Sequence, residues 1–431
     1  MVNRPIACDI FCTVIDNFGD IGVAWRLARQ LAHDHGWSVR LWVDDLHTFA
    51  KLAPSLNPGK RWQRLGEVVV EHWAAPFVDG DTLQIADVVI EAFACDLPPA
   101  YLAAMADRDP VPVWINLDYL SSEDWVADFH LKPSPHPRLP LNKWFFFPGL
   151  GPHTGGVLIE SSLASRRDTF QRDPVARAAL FDALGVGRPG DDTTVVSLFA
   201  YENNVVGELL AEWRDGHTPV LALVPVGRVG PDVARFLDIA AFDTSVDETR
   251  GNLTVRAVPF VDHDTYDQIL WACDLNFVRG EDSFVRAQLA ARPFVWHIYP
   301  QSDDAHLPKL DAALEHYTVG LPTEAAHALG QFWHHWNGSP GASGGPEAER
   351  DAGKHEVKET GKAGGTDAGT HPDATPLTPP NVGPGTPAGP WASLMQHRDA
   401  LAHGAREWID ELAAHGGLAA NLAEFAESRL K

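Results

Sequence analysis

The chain has 431 residues, too many for one ordinary core, so two domains are expected. Apolar residues make up 45% of it and tryptophans number 15, ample material for packed interiors. Its 34 basic residues stand against 58 acidic ones, a net charge of −24 that argues against nonspecific binding to DNA, RNA or anionic membrane and fits a basic partner or plain solubility.

In chain order, ACDIFCTVI (residues 7–15) reads as a strand. Asp9 interrupts it and no small-residue cleavage site follows, so it does not read as a signal peptide. Two glycines, Gly19 and Gly22, lead into GVAWRLARQLAHDHG, whose apolar residues recur at helical spacing and which stops at Gly36. SVRLWVDD follows as a strand and DLHTFAKLAP as a short helix. VVVEHWAAPF, ADVVIEAFA and VPVWINLDYL add strands, and PPAYLAAMAD adds a helix with prolines at its start. This βα rhythm implies a parallel sheet with helices on both faces. From 121 to 151, prolines and aromatics break the rhythm, so this stretch is expected to wrap the surface or bridge two halves. VLIESSLASRRDTFQRD then reads as helical.

The rhythm restarts with TTVVSLFAY, PVLALVPVG and NLTVRAVPFV as strands and DHDTYDQILWAC as a helix. DLNFVRG is a strand, SFVRAQLAAR a helix, PFVWHIYPQ a strand and DAHLPKLDAALEHY a helix. The expected division is a first Rossmann-like domain over 1–170 and a second over 190–337. Residues 338–390 are nearly free of large apolar side chains and are expected to be a disordered insertion. Helices over 391–431 are expected to return to the first domain. Cys8, Cys12, Cys95 and Cys273 lie in apolar stretches without a CxxC spacing, which reads as reduced thiols and suits a cytoplasm. No uninterrupted apolar stretch reaches the roughly 18 residues a bilayer span needs.

Ligands of open α/β sheets bind beyond the C-terminal ends of the strands. Two loops there stand out. In VIDNFGDIG, a strand–Gly–helix layout of the kind that cradles phosphate carries two carboxylates, Asp16 and Asp20, which would repel it. In FVRGEDSFVRAQLA, Arg279 and Gly280 make a turn, and Glu281, Asp282 and Ser283 open a helix with Asp282 or Ser283 as its N-cap. Free N–H groups, the positive helix end and the Arg279 fork then form a pyrophosphate site; an ordinary acidic first turn has the same pattern. Phe199, Tyr201, Phe260 and Tyr299 end neighbouring strands, where rings can stack on a flat base while Gln301 reads its edge. Each ring alone fits a core role. With phosphate held by the second domain, the acids of the first are free to deprotonate or hold an incoming nucleophile; the alternative is that Asp20 merely caps its helix.

DNFGDIGVAWRLARQL, the SPHP and FFFPG segments, LFAYE, VPFVDH and FVRGEDSFVRAQLA together resemble the EarP family of protein-arginine rhamnosyltransferases, which modify bacterial elongation factor P. The resemblance covers about residues 8 to 325 and the helices after 391, and the Gly-rich insertion is not part of the shared pattern. It implies an α/β GT-B glycosyltransferase with two facing Rossmann-like domains and a cleft between them. It implies dTDP-β-L-rhamnose as donor, an arginine of elongation factor P as acceptor, inversion at the anomeric carbon, and no metal or other cofactor. In keeping with that, no His/Cys set has ligand spacing. Carried over, the catalytic positions are Asp20, Asp16 and Glu281. The acidic loop adds Asn17, Phe18 and Gly19; the phosphate and sugar loop adds Arg279, Gly280, Asp282 and Ser283. The nucleotide pocket falls on Phe199, Tyr201, Phe260, Val261 and Asp262, extended to Tyr299 and Gln301. Asp20 is the expected base, Asp16 the group that fixes the guanidinium plane, and Glu281 the partner of the sugar. Another GT-B glycosyltransferase with a small-molecule acceptor, a non-catalytic nucleotide-sugar-binding partner protein, and a two-domain epimerase share the fold-level features.

Overall fold

Strands such as VVIEA (Val88–Ala92) and TVVSL (Thr194–Leu198) are buried at every position. A strand buried on both faces belongs inside a parallel sheet covered by helices. The structure is a computed structural model and describes residues 4–15, 18–74, 77, 83–301, 304–338 and 389–430. Within them the strands form two sheets. The first comprises β1 (Ala7–Cys12), β2 (Ser38–Val43), β3 (Trp62–Leu65), β4 (Val68–His72), β5 (Val88–Ala92), β6 (Val113–Leu117), β7 (Pro133–Pro135) and β8 (Asn142–Phe146), in the order β3-β4-β2-β1-β5-β6-β8-β7. Ile10 of the central β1 lies opposite Leu41 on one side and Ile90 on the other. The edge strands β3 and β7 run antiparallel to their neighbours and the rest are parallel.

The second sheet comprises β9 (Thr194–Leu198), β10 (Val220–Pro225), β11 (Asp247–Arg250), β12 (Leu253–Val258), β13 (Leu275–Arg279) and β14 (Phe294–His297), in the order β11-β12-β10-β9-β13-β14. Only β11 is antiparallel among the described pairings. The two doubly wound sheets are the GT-B pair of Rossmann-like layers. The stretch 121–151, expected to wrap the surface or bridge the two halves, extends the first sheet, where β8 pairs parallel with β6, and its Ser122 also reaches Lys309 and His316 of the second domain. Its prolines terminate short edge strands rather than abolish them.

Each sheet has its own core. Ile10, Leu27, Leu41, Ile90 and Ile115 belong to the first. Val196, Leu223, Val255 and Phe277 belong to the second, with Trp213, Trp333 and Trp336 fully buried among them. The chain crosses over 150–163: Leu150 and Val157 already pack in the second core, Leu158 in the first, and Leu163 in the second, so the segment up to 170 assigned to the first domain divides there. The helices after 389 also divide. Trp391, Leu394, Leu401 and Trp408 hold Pro390–Met395 and Arg398–Ala414 on the second core, and only Leu418–Leu430 joins the first. The expectation that 391–431 returns to the first domain as a unit is corrected accordingly, because those two tryptophans bury their rings against the second core. Both crossings meet where the Leu418 N–H donates to the Val157 carbonyl at 2.7 Å. Gly156 there has φ of +75°, and a Cβ on it would lie 2.3 Å from the Gly416 carbonyl oxygen, so only glycine fits.

The four cysteines are free, with Cys8, Cys12 and Cys273 buried and Cys95 half-buried. No helix among the described residues is long and apolar enough to cross a membrane. The expected insertion, but for Gly338, Gly389 and Pro390, lies outside the described residues.

Candidate active site

The loop after β1 turns directly into the Gly19–His35 helix, three residues earlier than its glycines imply. Phe18 is the N-cap and offers no capping side chain. Asp20 therefore lies in the first turn, where a carboxylate favours the positive helix end, and does not cap. It is 2% exposed. Its Oδ2 accepts the Ile15 N–H at 3.0 Å and its Oδ1 accepts the Tyr119 hydroxyl at 3.2 Å. The Tyr119 ring stacks on Phe93 with centroids 4.6 Å apart. Gly19 is the first helical residue, while Asp16 and Asn17 lie outside the described residues.

The loop after β13 is built around Gly280, with φ 66° and ψ −171°, a region open essentially only to glycine. Gly280 is the N-cap of the Glu281–Leu289 helix, so neither Asp282 nor Ser283 caps it; both are half-buried in the first turn. The preceding Arg279 lies against two rings, its guanidinium carbon 4.7 Å from the Phe199 centroid and 4.5 Å from that of Tyr201. Tyr299 and His297 meet the edge of Tyr201 at 5.4 and 5.3 Å. The Tyr201 N–H donates to His297 Nδ1 at 3.2 Å. Burial, aided by Arg279, pushes the His297 pKa down to about 3, so the ring stays neutral and can accept that bond. Three of the four expected aromatics thus gather around Arg279.

Phe260 does not join them. It is half exposed and meets Phe18 of the first domain at 4.7 Å. Val261 packs on the second core, and Asp262 caps the His263–Ala272 helix by accepting the Thr265 N–H at 2.8 Å. Gln301 is exposed and its Oε1 accepts from Lys309 Nζ at 3.4 Å.

The two loops converge at Glu281. A backbone hydrogen bond from Leu120 of the first domain reaches its carboxylate. Burial dominates its titration, and the charges of Asp20, Asp282 and Asp118 act in the same direction, so its pKa rises to about 8 despite that bond. Asp118 is itself pushed up by burial. The cleft therefore joins carboxylates of both domains, one of them holding its proton at neutral pH, beside the ring-backed Arg279. Such a pocket suits a cationic group on one side and an anionic leaving group on the other. Asp118 and Tyr119 were not singled out from sequence. Their signal was position alone, directly after the β6 run VWINL. Among the described residues no His, Cys, Asp and Glu group is arranged to hold a metal ion.

Known proteins resemble this chain along nearly its whole length. The family model described as elongation-factor P (EF-P) rhamnosyltransferase EarP matches residues 8–427. The chain belongs to the EarP family. A protein-arginine rhamnosyltransferase of Pseudomonas aeruginosa is 48% identical over 336 residues, 78% of this chain and 88% of the relative. That of Pseudomonas putida is 49% identical over 332 residues, 76% of this chain and 86% of its own. A solved structure described as the structural basis for EarP-mediated arginine glycosylation of translation elongation factor EF-P is 31% identical, with a TM-score of 0.61, covering 98% of this chain and 99% of that one. EarP membership makes the chain an enzyme of the protein-arginine rhamnosyltransferase class, with a protein acceptor and a nucleotide-sugar donor.

Proposed function

We propose that the chain transfers L-rhamnose from dTDP-β-L-rhamnose to an arginine side chain of translation elongation factor P, with inversion at the anomeric carbon, in the cytoplasm and without a metal. The observation that carries the reading is that Glu281 of the second domain, which follows Arg279 and Gly280 in the chain, lies within electrostatic reach of Asp20 of the first. The names of the relatives and the subject of the solved neighbour support it.

An acceptor arginine is a poor nucleophile, because its guanidinium is protonated (pKa above about 12) and its lone pairs are delocalised. In the proposed step a guanidinium nitrogen forms a bond to the anomeric carbon while the bond from that carbon to the diphosphate oxygen breaks. Asp20 takes the proton released, and Asp16 holds a second N–H edge. The charge that develops on dTDP falls to Arg279 and to the free N–H groups of the Glu281–Leu289 helix, with Asp282 and Ser283 beside them. Glu281, protonated in the free protein, holds rhamnose hydroxyls, and the arriving cation favours its ionised form. The first domain is thus the acceptor side. The second is the nucleotide side, with Phe199, Tyr201, Phe260, Val261, Asp262, Tyr299 and Gln301 around the nucleoside.

Incubation with elongation factor P and dTDP-β-L-rhamnose, read by intact mass, tests the reading. A gain of one deoxyhexose, lost when the acceptor arginine is replaced by lysine, supports it; an unchanged mass ends it.

A further inference from the structure

Arg26 sits two turns into the Gly19–His35 helix and is 3% exposed. Its guanidinium is directed across the seam between the domains. Nη2 and Nη1 donate to Asp267 Oδ1 and Oδ2 at 3.0 and 3.2 Å. Nε lies 2.8 Å from Asp282 Oδ1, close but not aligned as a hydrogen bond. Asp267 is shared: Arg286 Nε and Nη2 donate to it at 3.1 and 2.7 Å, and Arg286 Nη1 donates to Glu160 at 2.8 Å. Burial works to raise the Asp267 pKa, but the two arginines outweigh it and hold it at about 2.

A buried ion network is weak evidence for stability, since desolvating the ions offsets much of their attraction. Asp267 already has a bidentate partner in Arg286. What Arg26 adds is a link to Asp282, the neighbour of Glu281, from the same helix whose first turn carries Asp20. We propose that Arg26 is a positioning residue for the transfer reaction: through Asp282 it sets Glu281 opposite Asp20 when the two domains meet. Domain contact and assembly of the reacting pair are then one event. The inference rests on the roles given above to Asp20 and Glu281.

The test compares Arg26→Lys and Arg26→Gln with the parent chain, using elongation factor P and dTDP-β-L-rhamnose for kinetics and dTDP alone for calorimetry. A lysine keeps the positive charge among the buried acids but not the fork that reaches two carboxylates at once. Both variants should lose about 10- to 100-fold in kcat, the scale of a small misplacement of reacting groups. Their affinity for dTDP should be unchanged, because the nucleotide is held by the second domain. Adding Asp282→Asn to Arg26→Lys should cost little beyond either change alone, since both break one link. If Arg26→Gln does not fold, Arg26→Lys decides. Parental kcat in Arg26→Lys overturns the inference. So does a loss that multiplies with that of Asp282→Asn, or a kcat that falls in step with dTDP affinity. The parent measured alongside separates the two readings: a wrong acceptor or donor abolishes transfer in every chain, whereas a wrong role for Arg26 leaves the lysine variant as fast as the parent.

Discussion

Asp20 and Glu281 are both carboxylates in the first turn of a helix, yet their surroundings separate them. Asp20 accepts a backbone N–H and a tyrosine hydroxyl. Glu281 is pushed up to about 8 by burial and by its acidic neighbours. If Asp20 is the base, Asp20→Asn keeps the shape and removes the proton acceptor. Transfer should fall about 10²- to 10⁴-fold, the usual worth of general-base catalysis, with dTDP affinity unchanged. Time courses by intact mass and dTDP calorimetry check this, and near-normal turnover would remove Asp20 from the role. Glu281 makes a prediction about stability. Its folded pKa lies above the ordinary 4.5, so between 4.5 and about 8 the folded chain binds the proton that the unfolded chain releases. Stability from this group is therefore full below 4.5, declines as pH rises through that window, and is lost above about 8. Glu281→Gln carries no such charge. Its melting temperature should exceed that of the parent at alkaline pH, and the gap should close on acidification while transfer stays low. A gap that does not change with pH would show that Glu281 titrates normally.

At the scale of elements, a strand–turn–helix unit delivers each group. The turn at Gly280 leaves the Arg279 guanidinium on the rings of Phe199 and Tyr201 and starts the next helix at Glu281. Gly280→Ala would force a methyl-bearing residue into a conformation that costs about 1–3 kcal/mol. The backbone should relieve that strain by rotating Glu281, so both melting temperature and kcat should fall, the latter more than buried contacts alone would require. Unchanged kinetics would show that the turn tolerates a side chain. Both loops were legible in the sequence, because a buried β-type run followed by glycine and a helical pattern marks the ligand end of an α/β sheet. The helix starts were less so: Phe18 and Gly280 cap without a side-chain bond, which leaves no residue signal at the boundary. The short edge strands β3, β7 and β11 and the interior strand β8 were missed, since pairing with a neighbour rather than their own pattern defines them. Asp118 and the pairing of Arg26 with acids of the second domain were also missed, although Asp282 itself was named for the phosphate and sugar loop. Asp267, Glu160 and Asp282 stand far from Arg26 in sequence and meet it only because the two domains face each other.

At the scale of the whole molecule, the two domains are joined by two crossings, and the second domain is completed by helices that follow the Gly- and Pro-rich residues 339–388. The flanks of that segment hold their own places. The Phe332 ring of the Thr323–Asn337 helix lies 6.3 Å from that of Trp391, and Trp213 meets Trp391 at 5.2 Å. Glu212 accepts the Trp391 and Ala392 N–H groups at 3.2 and 2.8 Å, satisfying the start of the Pro390–Met395 helix. None of these contacts depends on 339–388, and the reacting groups lie in other loops. Closing a shorter loop also costs less entropy, by about 0.6 kcal/mol for each halving of its length. A chain with 339–388 replaced by a short Gly/Ser linker should therefore melt at the same temperature as the parent or slightly higher, and should modify elongation factor P at a similar kcat. A lower melting temperature would mean that the segment contributes to the second core. A preserved melting temperature with raised KM for elongation factor P would instead give the segment a part in meeting the acceptor.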